Sequence, residues 1–217
     1  MSGIETKTNI EYPESDGLPM AEDDWRWWWM VHIADLLRRR YEGQRVYVSS
    51  NLLIYPEEGN NLRHVAPDCF VVLDCEPGFR RTYKLWEEGK PPDVVFEVTS
   101  NSTRRQDEDD KPSLYAEMGV REYFLYDPTA DYLDPPLQGF RFTKGRATPI
   151  RPNARGDLVS RRLGIALHLE GSSLVMTDHK TGARLLTQAQ AAEEQLRAAQ
   201  AELAQLREQL GQEARDE

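Results

Sequence analysis

The run Pro92-Asp93-Val94-Val95-Phe96-Glu97-Val98-Thr99 decides the fold class. A strand sends successive side chains to opposite faces, so Val94, Phe96 and Val98 point one way and Asp93, Val95, Glu97 and Thr99 the other. The first set is a core face. The second puts a carboxylate inside an apolar strand, which is costly unless the charge is paired or holds a metal. A second acid, Asp68, opens the run Pro67-Asp68-Cys69-Phe70-Val71-Val72-Leu73. If the two strands are neighbours, Asp68 and Glu97 can converge on a hard divalent cation such as magnesium, which prefers carboxylate and water oxygens. The alternative is a strand-end Asp68 and a salt-bridged Glu97.

Working outward, the stretches 45–55, 67–75 and 122–127 are rich in valine, phenylalanine and tyrosine and also read as strands. Between residues 99 and 122 lies a helical stretch, Asp107 to Met118. It closes at Gly119, a residue suited to the left-handed position past a helix end, and Pro112 marks its first turn or shortens it. Upstream, Met20 to Tyr41 lacks proline and glycine. Trp25, Trp28, Trp29, His32, Ile33, Leu36 and Leu37 form the apolar face of an amphipathic helix there, and Trp27, Met30 and Val31 extend it further round than one packing face needs. Short strands are expected at 138–143 and 163–176. The order helix, three strands, helix, strand places the chain in the α/β (α+β) class with a mixed sheet.

The chain of 217 residues is long enough for one domain with a core plus an appendage. Three segments follow from composition. Residues 1–19 form an acidic arm, 20–182 the folded domain, and 183–217 a helix rich in alanine, glutamine, glutamate and leucine. In that helix Ala189, Leu196, Leu203 and Leu210 take heptad position a, and Leu185, Ala192, Ala199 and Leu206 take d, the pattern of a coiled coil. In a parallel pair Glu202 would meet Arg207 of the other helix. A homodimer is therefore expected, with docking on its own domain as the alternative. Net charge is -10, but the first 24 residues hold one base against seven acids, and residues 183–217 hold four bases against seven acids. The body between is close to neutral, which permits a polyanion partner without implying one. There is no apolar run of membrane length and no export signal, so a cytoplasmic location is expected. Cys69 and Cys75 fit neither a disulfide framework nor a zinc pattern and read as buried thiols.

Three blocks in fixed order carry a resemblance: His64-Val65-Ala66-Pro67-Asp68; Pro92 through Thr99 continuing as Ser100-Asn101-Ser102-Thr103-Arg104-Arg105; and Leu114-Tyr115-Ala116-Glu117-Met118-Gly119-Val120-Arg121-Glu122-Tyr123 with Tyr126-Asp127-Pro128. From about Tyr12 to Met176 the chain resembles the Uma-type endonucleases, long grouped as a domain of unknown function. They belong to the PD-(D/E)XK restriction-endonuclease-like superfamily. The resemblance implies the αβββαβ core of that superfamily and a metal-dependent endonuclease acting on DNA, with Asp68 and Glu97 binding Mg2+ or Mn2+. The superfamily lysine would fall at Thr99, a departure from the pattern. Lys111, ahead of Leu114-Tyr115-Ala116, is the candidate replacement as the third catalytic group; a solvated lysine neutralising Asp109 and Asp110 is the alternative. Glu22 aligns with an acid that many members point at the metal, or serves the first helical turn.

Several further residues are weighed on position alone. Asp93 and Tyr115 are candidates to line the site, against a turn role and a core role respectively. Arg104 and Arg105, at the exit of the acid-bearing strand, could hold a backbone phosphate. Arg80, Arg81 and Lys84 form a second basic group, and Arg38 to Arg40 a third at a helix end. The function from a different class is a catalytically silent dimeric module of the same fold that binds nucleic acid or regulates.

Overall fold

In the computed structural model, which describes residues 10–15, 17, 23–100 and 103–216, the first helix is α1 (Asp24–Arg40). Asp23 caps it, accepting the Arg26 N–H at 2.8 Å, and three arginines close its last turn. Its buried stripe is Trp29, Met30, Ile33, Ala34, Leu36 and Leu37. The apolar face expected around Trp25 and Trp28 is thus rotated toward Met30. Trp25 is 61% exposed and Trp28 47%, whereas Met30 is 1% exposed.

Six strands form one mixed sheet: β1 (Val46–Ser49), β3 (Cys69–Leu73), β5 (Val94–Val98), β6 (Glu122–Tyr126), β7 (Leu137–Thr143) and β8 (Arg146–Pro149), in that spatial order. The β1, β3 and β5 strands pair antiparallel, and β5 and β6 pair parallel. The chain between β5 and β6 passes through α3 (Lys111–Met118), as a parallel pair requires. The strands β3 and β6 therefore flank the acid-bearing run β5, which is buried along its whole length. Val94, Phe96 and Val98 join Cys69, Val71, Trp29, Ile33 and Leu37 in one apolar cluster; Val95 joins Phe70, Val72, Tyr115 and Tyr123 in a second on the opposite face.

Differences from the expected elements have local causes. The run 45–55 divides because Asn51 turns the backbone at φ 49°, and β2 (Ile54–Tyr55) pairs parallel with β4 (Tyr83–Lys84) in a separate small sheet, just ahead of the one-turn α2 (Leu85–Glu88). The run 163–176 is a hairpin of β10 (Ile165–Glu170) and β11 (Ser173–Asp178), turned at Gly171 with φ 63° and joined by β9 (Leu158–Ser160). Helix 107–118 begins as a π-helical turn, Gln106–Asp110, before α3 proper, with Pro112 in the first turn and Gly119 closing it at φ 93°.

The second sheet completes the α1-side core through Leu158, Ile165, Leu167, Leu174 and Met176. Leu185 belongs to that core as well: its N–H donates to the Met176 carbonyl at 2.9 Å. The body thus continues several residues past Gly182 before α4 (Gln188–Asp216) begins. Along α4, Ala191 is buried, while Leu196, Leu203 and Leu206 are exposed. Both cysteines are buried and unbridged. Among the described residues no helix is long and apolar enough to cross a membrane.

Candidate active site

The antiparallel register sets Cys69 opposite Phe96 and Phe70 opposite Val95. One step further along, Asp68 falls opposite Glu97. Phe70 and Val95 share the α3-side face, and since faces alternate, Asp68 and Glu97 share it too. Both are buried, at 1% and 0% exposure.

Each carboxylate is held differently. Asp68 Oδ2 accepts the Val98 N–H at 2.8 Å, and Arg26 reaches across from the first turn of α1, Nη2 to Oδ1 at 3.0 Å and Nε to Oδ2 at 3.3 Å. Glu97 Oε1 accepts the Tyr115 hydroxyl at 2.5 Å, and Oε2 lies 2.9 Å from Lys111 Nζ. The same ammonium is 2.7 Å from Oδ1 of Asp107, one helical turn earlier and fully buried. Thr99, two residues beyond Glu97, is buried with its hydroxyl unpartnered among the described residues.

Three buried carboxylates thus face two cations, and the electrostatics follow from that imbalance. Burial pushes the Glu97 carboxyl up to about 8, against the pull of Lys111 and with the help of Asp68 and Asp107. Burial likewise raises Asp107, again opposed by Lys111. Burial by itself would lower Lys111, but the charges of Glu97, Asp107 and Asp68 outweigh it and keep the ammonium protonated. Arg26 behaves in the same way through Asp68. Tyr115 is driven well above the ordinary phenol value by burial and then by Glu97, so its hydroxyl stays a donor.

The other anticipated residues are placed as follows. Asp93 lies at the far end of β5, where Oδ2 accepts the Leu73 N–H at 2.8 Å and Oδ1 pairs with Arg162, so its carboxylate is engaged away from Glu97. Glu22 lies outside the described residues. Arg104 and Arg105 are exposed just before the π-helical turn, with Arg104 paired to Glu108 at 2.9 Å. Two residues of the cluster, Arg26 and Asp107, escaped the sequence reading. Arg26 sits within a tryptophan-rich face, and Asp107 opens the acidic run Asp107-Glu108-Asp109-Asp110. Its spacing of four from Lys111 was the available signal.

Among the described residues no three His, Cys, Asp or Glu side chains are grouped to hold a metal ion. Two opposed carboxylates still match magnesium, which keeps most of its water and takes one or two protein carboxylates together with substrate phosphates.

A mixed sheet carrying buried carboxylates beside a buried lysine defines an α/β protein with a polar site at the β3–β5 strand ends. The family model described as "Uma2: Putative restriction endonuclease" matches residues 5–172, and the chain belongs to that family. No curated protein matches the chain. Among solved structures it is similar to one titled as a putative nuclease belonging to DUF820 from Anabaena variabilis ATCC 29413, with 13% identity, 71% of this chain and 78% of that chain covered, and a TM-score of 0.47.

Proposed function

We propose that the protein is a metal-dependent endonuclease that hydrolyses phosphodiester bonds in DNA, with Asp68 and Glu97 as metal ligands and Lys111 in the role of the superfamily lysine. The observation that carries this reading is the convergence of Asp68, Glu97 and Lys111 on one face of the sheet, with the ammonium 2.9 Å from Glu97. A bound magnesium or manganese ion would supply Lewis acidity at the phosphate and a water acidified for attack. Asp68 and Glu97 would present hard oxygens from fixed strands. Tyr115, donating to Glu97, orients that carboxylate. Lys111 would direct its charge at the water or at the pentavalent phosphate, the fixed-dipole stabilisation that counts most where water is excluded. Arg104 and Arg105 would contact the backbone on either side. Cleavage of plasmid and of single-stranded DNA with Mg2+ or Mn2+ tests this: the wild type should nick or cut, and Asp68→Asn should not.

A second reading rests on Arg26. Its guanidinium already neutralises Asp68, as Lys111 does Glu97, so the site can be held without a metal by a module that only binds nucleic acid. Absence of cleavage together with retained DNA binding would favour it.

The α4 helices would pair in parallel through the stripe containing Leu196, Leu203 and Leu206, whose side chains are exposed on the single chain. Two active sites related by a twofold axis would then address the two strands of a duplex. Sedimentation as a dimer, lost on truncation after Thr187, is the expected result.

A further inference from the structure

At the opposite end of α1 from the candidate active site lies an open depression of about 420 Å³ where the helix meets the segment leading into α4. Arg39, Arg40 and Arg184 line it, together with Asp178, Thr181 and Leu185. Donors outnumber acceptors there. Arg40 pairs with Asp178 at 2.6 Å and Arg184 with Glu170 at 3.0 Å, but Arg39 has no carboxylate partner among the described residues. The Nε atoms of Arg39 and Arg40 are both buried without an acceptor among those residues. A buried donor left unpaired is unusual in a folded protein and points to a bound group. Asp178 cannot make up the deficit, because its Oδ1 already accepts the Lys180 and Thr181 N–H groups and the Thr181 hydroxyl.

The carbonyl end of a helix is electrostatically the wrong end for an anion. Here, however, three of its last four carbonyls are engaged: Leu37 O accepts the Tyr41 N–H, Arg39 O the Glu42 N–H, and Arg40 O the Gln44 side-chain amide. The guanidiniums dominate what remains.

We infer that this depression binds a phosphate group, held by Arg39 and Arg40 with Arg184 at the rim. Guanidinium forks match a tetrahedral oxyanion better than any other side chain. The group can come from a nucleic-acid backbone or from a free phosphate compound, and one experiment separates the two. Arginine Nε–H signals of the full-length protein, assigned with Arg39→Gln and Arg40→Gln, are followed while inorganic phosphate is added, with sodium chloride at matched ionic strength as control. Saturable shifts at Arg39 and Arg40, beyond those at Arg104 and Arg105, are expected. Shifts that follow ionic strength alone would mean an adventitious ion only and would overturn the proposal. In a second arm, a blunt DNA duplex is titrated in EDTA at several salt concentrations. If the group is a backbone phosphate, Arg39→Gln lowers the slope of log K against log salt by about 0.9, the share of one contact. An unchanged slope with saturable phosphate shifts assigns the site to a free phosphate compound. Because no cleavage is read, the result stands apart from the endonuclease proposal.

Discussion

At one end of β5, Asp93 takes the Leu73 N–H and Arg162, beside Glu122, which accepts the Ser160 hydroxyl at 2.5 Å, the Arg161 N–H at 3.0 Å and Arg141 Nε at 3.1 Å. At the other end, Glu97 rests on one phenol and one shared ammonium, and Asp107 on the same ammonium. The first pair ties β3, β5, β6 and the β9–β10 turn together through backbone donors, whereas the second accepts no backbone N–H through Glu97. Asp127 belongs with the first kind: burial would raise its carboxyl, but N–H groups of Tyr132 and Leu133, with Thr129, hold it below the usual range as they pin the loop after β6. A carboxylate filled by backbone donors is a structural clamp. One held by side-chain cations can exchange them for a ligand.

The largest expected effect tests the clamp. Glu122→Ala takes the acceptor from a hydroxyl, two backbone N–H groups and Arg141 Nε, and should cost about 3–5 kcal/mol of stability, the usual penalty for breaking a buried pair. Urea unfolding measures it, and a loss no greater than that of Glu97→Gln would erase the distinction between the two ends.

Next in size is Lys111→Ala. It should lower cleavage by about a hundredfold or more, about 2.7–4 kcal/mol of barrier, while far-ultraviolet circular dichroism stays native. Thr99→Lys in that background is expected to restore part of the rate, since it places an ammonium two residues beyond Glu97. Unchanged kcat in Lys111→Ala would remove the lysine from the chemistry.

A third, smaller effect appears as pH dependence of stability in EDTA. Glu97 is raised from 4.5 to about 8 in the folded state, so between those values the folded protein holds a proton that the unfolded chain releases. Stability therefore falls as pH rises through that window, and Asp107 adds in the same direction. Glu97→Gln should flatten the slope. Equal slopes in wild type and Glu97→Gln would contradict the assignment.

How much of this was legible in the sequence depends on range. Alternation in Pro92–Thr99 marked both faces of β5, because that signal lies within one strand. Asp68 and Glu97 stood out as acids in apolar runs, but their opposition is a matter of register, which the pattern of either strand alone leaves open. Arg26 stayed hidden because its partner lies 42 residues away, across the gap from helix to sheet. Asp107 turns inward through a π-helical turn, which a helix reading of the acidic run treats as solvent-facing. The division of 163–176 into two strands was signalled by Gly171 inside the run.

The smallest expected change is in stability on truncating after Gln195, within about 0.5 kcal/mol, since α4 is exposed beyond the buried Ala191. A larger loss would make α4 part of the domain and weaken the case for pairing between chains.

The most direct test of the central claim is calorimetric titration of Mn2+ into the metal-free protein. Wild type should bind with micromolar to millimolar affinity, and Asp68→Asn and Glu97→Gln should each abolish binding while Asp93→Asn retains it. Binding unaffected by Asp68→Asn, or lost equally in Asp93→Asn, would contradict a metal site built at the Glu97 end of β5.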